Sequence, residues 1–255
     1  MTAPAVSVIV AARDAEATLG ACLASLRALD HPSYEILVVD NGSTDATRAI
    51  AAAHEPVRVL DEERVGPAAA RNTGIEAAHG DVVAFTDADC VVDPRWLTAL
   101  TAALHDRTDR VAGGRILATR PANRVERFGE RIHDHEAALT RYVPPYAITM
   151  NWAMPRPREG RPFDEALLRG SDVDLSWRLH AAGWSFAYAP AAIVHHRNER
   201  TLRGLAAEGF THASHGAAVR RKHGIEGRRD PRPPRSLPEA AFEAGKALGA
   251  LRPRR

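Results

Sequence analysis

Short apolar runs alternate with helical patterns along the first hundred residues, and this alternation constrains the fold more than any other feature. Val6–Ala11 and Glu35–Val39 have the pattern of strands that are buried on both faces. A helical pattern follows each of them, and Val82–Thr86 has the pattern of another such strand. Strands that alternate with helices predict a mostly parallel sheet covered by helices on both sides. We therefore expect an α/β fold with a Rossmann-like central sheet.

The remaining elements follow less regularly, most of all beyond Val111. Tyr142–Arg161 is rich in proline and poor in periodicity, so we expect a loop there. From Arg228 the chain is rich in arginine and proline, and we expect residues 226–255 to be a mobile tail that follows a domain of residues 1–225. The other predicted strands are Val57–Leu60, Val111–Leu117, Phe186–Tyr188 and Ile193–His195, and the other predicted helices are Pro67–Ala78, the helix opened by Asp93-Pro94, Arg124–Arg141, Asp172–Ala182 and Leu202–His223.

Composition and charge limit the classes of partner and the cellular compartment that we expect. The formal net charge of +2 on 255 residues argues against a dedicated nucleic-acid binder. No apolar run approaches the ~18–20 residues of a membrane span, and the first ten residues lack the basic start of a secretory signal. The two cysteines suit a reducing compartment, so we expect a cytoplasmic protein. The basic stretch Arg220–His223 is typical of a solvated helix end, and weak peripheral contact with the inner face of a membrane is the alternative.

Polar clusters stand at the predicted carboxyl ends of the strands, where ligands bind in open α/β sheets. Ala12-Arg13-Asp14, Asp40–Ser43 and Asp87-Ala88-Asp89 each follow a strand, and Gly66 with Arg71-Asn72 begins a neighbouring helix. An aspartate after a buried strand is often only a helix cap, so each cluster alone is a weak signal. Their convergence on one edge of the sheet is what predicts a ligand site.

Asp87-Ala88-Asp89 is the sharpest of these signals. Two carboxylates that flank a small residue repel each other unless a cation or a proton lies between them. Their hard oxygens suit Mg²⁺ or Mn²⁺, ions that proteins commonly share with substrate phosphates. A solvated turn with two ordinary acids is the simpler interpretation of the triplet taken alone.

Four ordered motifs resemble those of the glycosyltransferase family 2 enzymes, which have a GT-A-type fold. They are Ile36–Asp45 (ILVVDNGSTD), Gly66–Gly74 (GPAAARNTG) with Gly80-Asp81 and Asp87-Ala88-Asp89, Gly170–Leu175 (GSDVDL) with Arg178 and Gly183, and the strand that ends in His195-His196. Their order and spacing fit over roughly residues 6–224. The resemblance implies a single GT-A-type α/β domain with a C-terminal helical extension, in which residues 1–110 bind the nucleotide sugar and residues 111–225 bind the acceptor.

The same resemblance implies a role for each matching residue. Asp172 is the general base, and its place at the start of a helix favours the ionised carboxylate. Asp89 holds a divalent metal, Mn²⁺ or Mg²⁺, against the diphosphate, with His196 as a further ligand and His195 as the alternative. The residues implied to bind the nucleotide sugar are Ala11, Arg13, Asp40, Gly66, Arg71, Asp87 and Ala88, of which Asp87 contacts the ribose or the metal.

The implied reaction is transfer of a sugar, with inversion, from a nucleotide diphosphate sugar to an acceptor hydroxyl. UDP is the favoured nucleotide, and the acceptor is a saccharide, a lipid-linked sugar or a small molecule. Ser171 departs from the pattern, because the family often has Glu before the base. This departure puts the acceptor contacts in doubt rather than the reaction type.

Several other conspicuous residues are expected to be structural. Asp174 and Arg178 lie on one predicted helix and suit a salt bridge. Cys22 and Cys90 have no evident base beside them, so we interpret them as buried thiols. Trp152 is a candidate for stacking on a sugar, although a buried core is the more common place for a tryptophan.

Two other functions stay open from the sequence. A sugar-phosphate nucleotidyltransferase also combines an α/β sheet with a nucleotide and a metal, but it needs a glycine-rich loop after the first strand and a lysine near the phosphates. Ala11–Glu16 contains no glycine, and the first lysine of the chain is Lys222. A sugar-nucleotide-binding module without turnover is the second alternative, and Ser171 is its one hint.

Overall fold

The computed structural model describes residues 5–105, 107–225 and 236–250. Its strands are β1 (Val6–Ala12), β2 (Tyr34–Asp40), β3 (Arg58–Asp61), β4 (Val82–Asp87), β5 (Cys90–Val92), β6 (Arg110–Ala118), β7 (Trp152–Pro155) and β8 (Ser185–His196). They form one sheet in the order β3-β2-β1-β4-β7-β6-β8-β5. The helices are α1 (Leu19–Arg27), α2 (Thr47–Ala52), α3 (Pro67–Ala77), α4 (Trp96–Leu104), α5 (Arg124–Ile132), α6 (His135–Thr140), α7 (Ser171–Ala181), α8 (Leu202–Lys222) and α9 (Leu237–Ala250), with a 3₁₀ turn at Thr149–Asn151.

The first four strands of the sheet order, β3, β2, β1 and β4, are parallel to one another. Burial on both faces explains the apolar runs of β1, β2 and β4, whereas β3 lies at the edge of the sheet and is only partly buried. On β1, Val8 and Val10 belong to one apolar cluster and Ile9 belongs to another, as alternation along a strand requires. The expected α/β fold, a mostly parallel sheet flanked by helices, is confirmed.

The other half of the sheet contains antiparallel strand pairs, and the sequence patterns do not reveal two of its strands, β5 and β7. The loop expected over Tyr142–Arg161 is wrong for residues 149–155, which form the 3₁₀ turn and β7, and β7 pairs antiparallel with both β4 and β6. The rest of that range contains no helix or strand. The short strand β5 pairs antiparallel with β8, and the two short strands predicted at Phe186–Tyr188 and Ile193–His195 are a single strand. A strand of three or four residues is too short to show a period, so only its partners identify it.

The helices differ from their predicted bounds in two places. The single helix expected over Arg124–Arg141 is two helices, because Asp134 accepts a hydrogen bond from the Ala137 amide and begins α6 anew. The tail expected over residues 226–255 contains α9, so that expectation is wrong for Leu237–Ala250. Its other residues, 226–235 and 251–255, lie outside the described part of the chain.

The chain divides into two compact units. Unit 1 comprises residues 1–117 and 134–196, and unit 2 comprises residues 118–133 and 197–255. Unit 1 has an extensive apolar core on the faces of its sheet. The buried apolar cluster of unit 2, within the described residues, consists of Phe128, Leu205 and Phe242. The predicted division into donor-binding residues 1–110 and acceptor-binding residues 111–225 concerns ligands, and it stays a prediction.

No helix in the described ranges combines the length and the apolar character that a membrane span requires.

Candidate active site

The carboxyl ends of β1, β2 and β4 lie side by side. The strand register pairs Ala12 with Asp40 and Ala11 with Asp87. Asp40 is almost completely buried, and its Oδ1 accepts a hydrogen bond of 3.2 Å from the Ser43 amide. The polar clusters that follow three separate strands in the sequence therefore share one edge of the folded sheet.

A cavity of about 230 Å³ opens at this edge. It contains Ala11, Arg13 and Gly66, three of the residues expected to bind the nucleotide sugar. An open pocket at the carboxyl end of parallel strands is where α/β folds place nucleotides. The lining residues are Ala11, Ala12, Arg13, Asn41, Val65, Gly66, Pro67 and Leu168.

Asn41 shapes one wall of this cavity, and the sequence analysis gave it no role of its own. Its Nδ2 donates to the carbonyl oxygens of Glu62 and Arg64, at 2.9 and 2.8 Å, and its Oδ1 accepts from the Gly66 amide at 2.8 Å. Gly66 has a φ of 129°, which only glycine adopts readily, and Pro67 follows it as the first residue of α3. The buried amide of Asn41 thus holds the segment between β3 and α3 in place.

Arg71 reaches the site through Asp87. The Arg71 side chain is 9% exposed, and its Nη2 donates to Asp87 Oδ1 at 3.0 Å. Burial raises the pKa of the Asp87 carboxyl above its ordinary value, and the Arg71 guanidinium opposes that effect. The guanidinium also lies 5.9 Å from the centre of the Phe163 ring, which restricts its orientation. Arg71 is therefore a fixed partner that orients Asp87.

Asp89 and His196 lie next to each other because of the pairing between β5 and β8. The register sets Cys90 opposite His196, and His196 Nε2 lies 3.5 Å from Asp89 Oδ2. Burial by itself would raise the pKa of Asp89, but His196 together with hydrogen bonds from the Asp89 amide and the Cys90 thiol lowers it below its usual range. Ala88, between the two aspartates, is buried at 7% exposure.

His195 points away from this pair. Successive side chains of a strand face opposite sides of the sheet. His195 Nε2 lies 3.0 Å from Asp93 Oδ1 and forms an ion pair with it when protonated. Of the two histidines considered from the sequence, the geometry brings His196 to the Asp87-Ala88-Asp89 triplet.

The Asp89 and His196 side chains fit the divalent metal that the resemblance implies. A carboxylate oxygen and an imidazole nitrogen are common metal ligands, and two ligands of one metal ion lie roughly 3 Å apart. The separation of 3.5 Å between Asp89 Oδ2 and His196 Nε2 is close to that value. Asp87, held by Arg71, lies at the end of β4, two residues before Asp89.

Asp172 lies in the first turn of α7, as predicted. Its Oδ2 accepts a long hydrogen bond of 3.4 Å from the Thr149 amide, and its Oδ1 accepts one of 2.9 Å from the Val173 amide. Thr149 begins the 3₁₀ turn that packs against β4, the strand that ends at Asp87. Asp172 and the Asp87-Ala88-Asp89 triplet are therefore linked through one turn of backbone.

His135 forms a hydrogen bond to the residue that precedes that turn. The sequence analysis did not identify this histidine. Its Nδ1 donates to the Gly114 carbonyl and its Nε2 accepts from the Ile148 amide, both at 2.9 Å. This pairing requires the neutral ring with its proton on Nδ1. Burial lowers the pKa of His135 to about 4, in agreement with a neutral ring. His135 thereby fixes the residue next to Thr149.

Several conspicuous residues near Asp172 and β7 are buried and have structural contacts. Asp174 is completely buried and forms a salt bridge of 2.9 Å with Arg178 on the next turn of α7. Trp152 is completely buried between Phe85 and Phe163, so it belongs to the core and offers no face to a sugar. Ser171 is also buried, at 1% exposure.

The two cysteines are both buried and unpaired with each other. Burial raises the pKa of each thiol well above its ordinary value, and the aspartates 87 and 89 raise it further. A thiol that stays protonated is a poor nucleophile, so their interpretation as buried thiols is confirmed.

Comparisons with known proteins identify relatives of the chain. Over 213 residues the chain is 35% identical to the pre-mycofactocin glycosyltransferase of Mycobacterium tuberculosis (strain CDC 1551 / Oshkosh), a match that covers 78% of this chain and 44% of that protein. It is 32% identical over 209 residues to glycosyltransferase AglE of Haloferax volcanii, covering 76% of this chain and 67% of that one. The chain thus spans less than half the length of the first of these relatives.

Solved structures share the fold. The mannosyltransferase PcManGT from Pyrobaculum calidifontis, solved in complex with GDP-Man and Mn²⁺, superposes with a TM-score of 0.68 at 22% identity, covering 97% of this chain and 70% of that one. The glucosyl-3-phosphoglycerate synthase of Mycobacterium tuberculosis, solved with Mn²⁺, UDP-Glc and phosphoglyceric acid, superposes with a TM-score of 0.58 at 22% identity, covering 88% and 81%.

The family model described as glycosyl transferase family 2 matches residues 7–161, which is more than half of the chain and extends from the second residue of β1 beyond the end of β7. With the shared fold and the relatives above, this match shows that the chain has a GT-A fold and belongs to glycosyltransferase family 2.

Proposed function

We propose that this chain transfers a sugar from a nucleoside diphosphate sugar to an acceptor hydroxyl with inversion, and that Asp172 is the general base. The observation that carries the proposal is the placement of Asp89 beside His196, and of Asp87 beside Arg71, at the strand edge where the cavity of Ala11, Arg13 and Gly66 opens. A nucleotide in that cavity directs its diphosphate toward the carboxylates.

The donor in this proposal occupies the edge of the parallel strands. Arg13 lines the cavity and Asp40 lies at the strand end beside it, so we assign both to the nucleoside. The segment held by Asn41 closes one side of the cavity. UDP is the nucleotide we favour, in line with the neighbour solved with UDP-Glc, while the neighbour solved with GDP-Man makes GDP the first alternative. The acceptor is a saccharide, a lipid-linked sugar or a small molecule.

Asp89 and His196, with Asp87 beside them, would hold a divalent cation, Mn²⁺ or Mg²⁺. When bound, such an ion neutralises the negative charge that develops on the leaving nucleoside diphosphate. Arg71 orients Asp87 through the hydrogen bond of 3.0 Å, and its positive charge opposes the effect of burial, which raises the pKa of Asp87. The chain's own contribution is a preorganised pair of carboxylates that need no rearrangement when the donor arrives.

Asp172 acts on the acceptor. The acceptor oxygen attacks the anomeric carbon while the Asp172 carboxylate removes the hydroxyl proton, and the bond from that carbon to the diphosphate oxygen breaks. The amides of Thr149 and Val173 hold the two Asp172 oxygens by hydrogen bonds of 3.4 and 2.9 Å. A carboxylate in this position contributes typically ~10²–10⁴-fold to the rate.

The test combines donor binding with turnover. UDP, GDP, TDP and CDP are compared by thermal shift, each with Mn²⁺ and with a chelator, and the stabilising nucleotide then selects the sugar donors for a transfer assay. We expect one nucleotide to raise the melting temperature by several degrees only with metal present. Asp172→Asn should keep that shift and lose ~10²–10⁴-fold in turnover.

Asp109→Asn is the matched control, because Asp109 pairs with Arg107 on the exposed surface, and it should keep both properties. If none of the four nucleotides stabilised the protein, the proposal that the donor is a nucleoside diphosphate sugar would be contradicted. Full turnover in Asp172→Asn would remove Asp172 as the base. Donor binding by the wild type without transfer to any acceptor class would identify a binding module instead.

A further inference from the structure

Unit 2 contains a group of potential metal ligands outside the candidate active site. His133, Glu208 and His212 each offer one ligand atom, and these atoms all lie within 4.8 Å of one another. Glu208 Oε1 lies 3.8 Å from His133 Nε2 and 3.7 Å from His212 Nε2. All three residues belong to the same compact unit.

Two helices bring these side chains together. Glu208 and His212 are four residues apart on α8, a spacing that puts both on one face of the helix. His133 caps the C-terminus of α5, where its amide bonds the Gly129 carbonyl. The His212 ring packs edge-on against Phe242 of α9, with the ring centres 5.7 Å apart, and this contact limits its rotation.

We infer that His133, Glu208 and His212 form a second divalent metal site, one that binds Zn²⁺ or a similar transition metal. Two imidazoles and one carboxylate are a ligand set that Zn²⁺ accepts, with ligand bonds of about 2.0–2.2 Å and ligand atoms therefore roughly 3.4 Å apart. The separations of 3.7 and 3.8 Å are close to that value, and all three ligand atoms lie within 4.8 Å of one another.

Burial and exposure in the cluster also suit a metal ion. The side chains of His133, Glu208 and His212 are 9%, 20% and 43% exposed, so the cluster is enclosed on one side and open to solvent at His212. A water molecule can therefore complete a tetrahedral arrangement from the open side. The mixed nitrogen and oxygen donors distinguish this site from sites built of oxygen alone, which favour Mg²⁺.

The small core of unit 2 supplies a reason for such a site. Its buried apolar cluster, within the described residues, contains three side chains, Phe128, Leu205 and Phe242. Small cores are commonly reinforced by a metal or a covalent link. A metal held by His133 and by both α8 ligands would tie the end of α5 to α8, so its role is to stabilise unit 2. The inference does not depend on the proposed donor or base.

The test uses the full chain without a histidine tag, carrying Asp89→Asn so that the candidate active site does not compete for metal. Co²⁺ replaces Zn²⁺ as a coloured probe, and the visible absorption is followed during titration. We expect one equivalent of Co²⁺ to bind, Zn²⁺ to displace it and an equal concentration of Mg²⁺ to leave it in place. Zn²⁺ should also raise the melting temperature.

Glu208→Gln and His212→Gln, each added to that background, should weaken Co²⁺ binding by about tenfold or more and abolish the thermal shift. Both side chains are partly exposed, so these variants are suitable where a change at His133 would disturb folding. His215→Gln is the matched control on the same helix, since His215 bonds the Thr211 carbonyl of α8, and it should bind Co²⁺ as before.

Three results would overturn the inference. They are the absence of saturable Co²⁺ binding in the Asp89→Asn protein, equal binding in the Glu208→Gln variant, and displacement by Mg²⁺ as readily as by Zn²⁺. Without saturable Co²⁺ binding, Glu208 would serve only as an ion-pair partner for His133 and His212. Far-UV circular dichroism of each variant confirms that the fold is intact before the comparison is made.

Discussion

At the scale of single residues, the candidate site depends on which way adjacent side chains point. His195 and His196 are neighbours on β8, yet one pairs with Asp93 and the other lies beside Asp89. The pairing of β8 with β5 decides this, because a shift of one residue would exchange the two faces. Asn41 and His135 act at the same scale, since each holds a segment of backbone next to a functional residue.

We predict that His196→Asn weakens the metal-dependent binding of the nucleotide and that His195→Asn does not. Loss of a metal ligand costs at least about tenfold in metal affinity. The measurement is a Mn²⁺ titration of the nucleotide-induced thermal shift in both variants. A larger loss in His195→Asn than in His196→Asn would contradict the assignment, since both histidines lie on the same strand and differ only in the face they occupy.

At the scale of elements, glycines allow strands and helices to approach each other closely. Gly114 on β6 lies against β8, and a Cβ atom there would collide with the Ala192 carbonyl and lie 2.8 Å from Asn151 Nδ2. Asn151 in turn accepts from the Trp96 indole and donates to the Arg115 and Ala192 carbonyls. Helices α8 and α9 likewise meet at Gly209, Gly245 and Gly249, where added Cβ atoms would strike the facing backbone.

We predict opposite effects for two glycine-to-alanine changes. Gly114→Ala should lower the free energy of unfolding by about 3 kcal/mol, because the new methyl group overpacks a buried strand pair. Gly20→Ala is the matched control on α1, where the nearest atom to the added Cβ is Ile50 Cγ2 at 4.0 Å. Gly20→Ala should raise the free energy of unfolding by ~0.5–1 kcal/mol, since alanine favours a helix. Urea unfolding of both variants measures the difference.

The elements also show why some were predictable and others were not. The parallel strands β1, β2 and β4 have apolar runs of four or five residues, so their burial is visible locally. β7 has four residues and becomes a strand only because β4 and β6 lie on either side of it. α9 does carry a local signal, since Leu237–Ala250 is rich in alanine, but the proline-rich stretch before it obscured that signal.

At the scale of the whole molecule, polar networks connect segments that are far apart in the chain. Glu62 is buried and accepts hydrogen bonds from Arg64, Thr73 and Arg161, the last of these 99 residues away. Arg161 also bonds Glu165, which in turn accepts from Asn72 of α3. This network holds the segment that leads into Gly66, so it supports the nucleotide cavity from outside.

We predict that Glu62 makes stability depend on acid pH. Hydrogen bonds from Arg64 lower the pKa of Glu62 from 4.5 to about 2, despite burial. The stabilisation is therefore present above pH 4.5 and is lost as the pH falls toward 2, with a limit of about 3 kcal/mol. The free energy of unfolding of wild type and Glu62→Gln, measured in urea from pH 7 to pH 3.5, should converge as the pH falls.

Glu63→Gln is the matched control for this experiment, because Glu63 is the exposed neighbour of Glu62. Its unfolding free energy should follow that of the wild type at every pH. A constant difference between wild type and Glu62→Gln across the range would show that the two carboxyl states contribute equally and would contradict the role assigned to Glu62.

Local patterns of the chain by themselves determined the α/β class, the parallel half of the sheet, the polar edge and the family, because each is set by runs of neighbouring residues. The tertiary structure alone decided which histidine faces Asp89, where β7 is inserted and how α9 packs on α8. It also brought His133 to Glu208 and His212 across some 75 residues of chain. Register and packing are set by partners distant in sequence, and no local pattern specifies them.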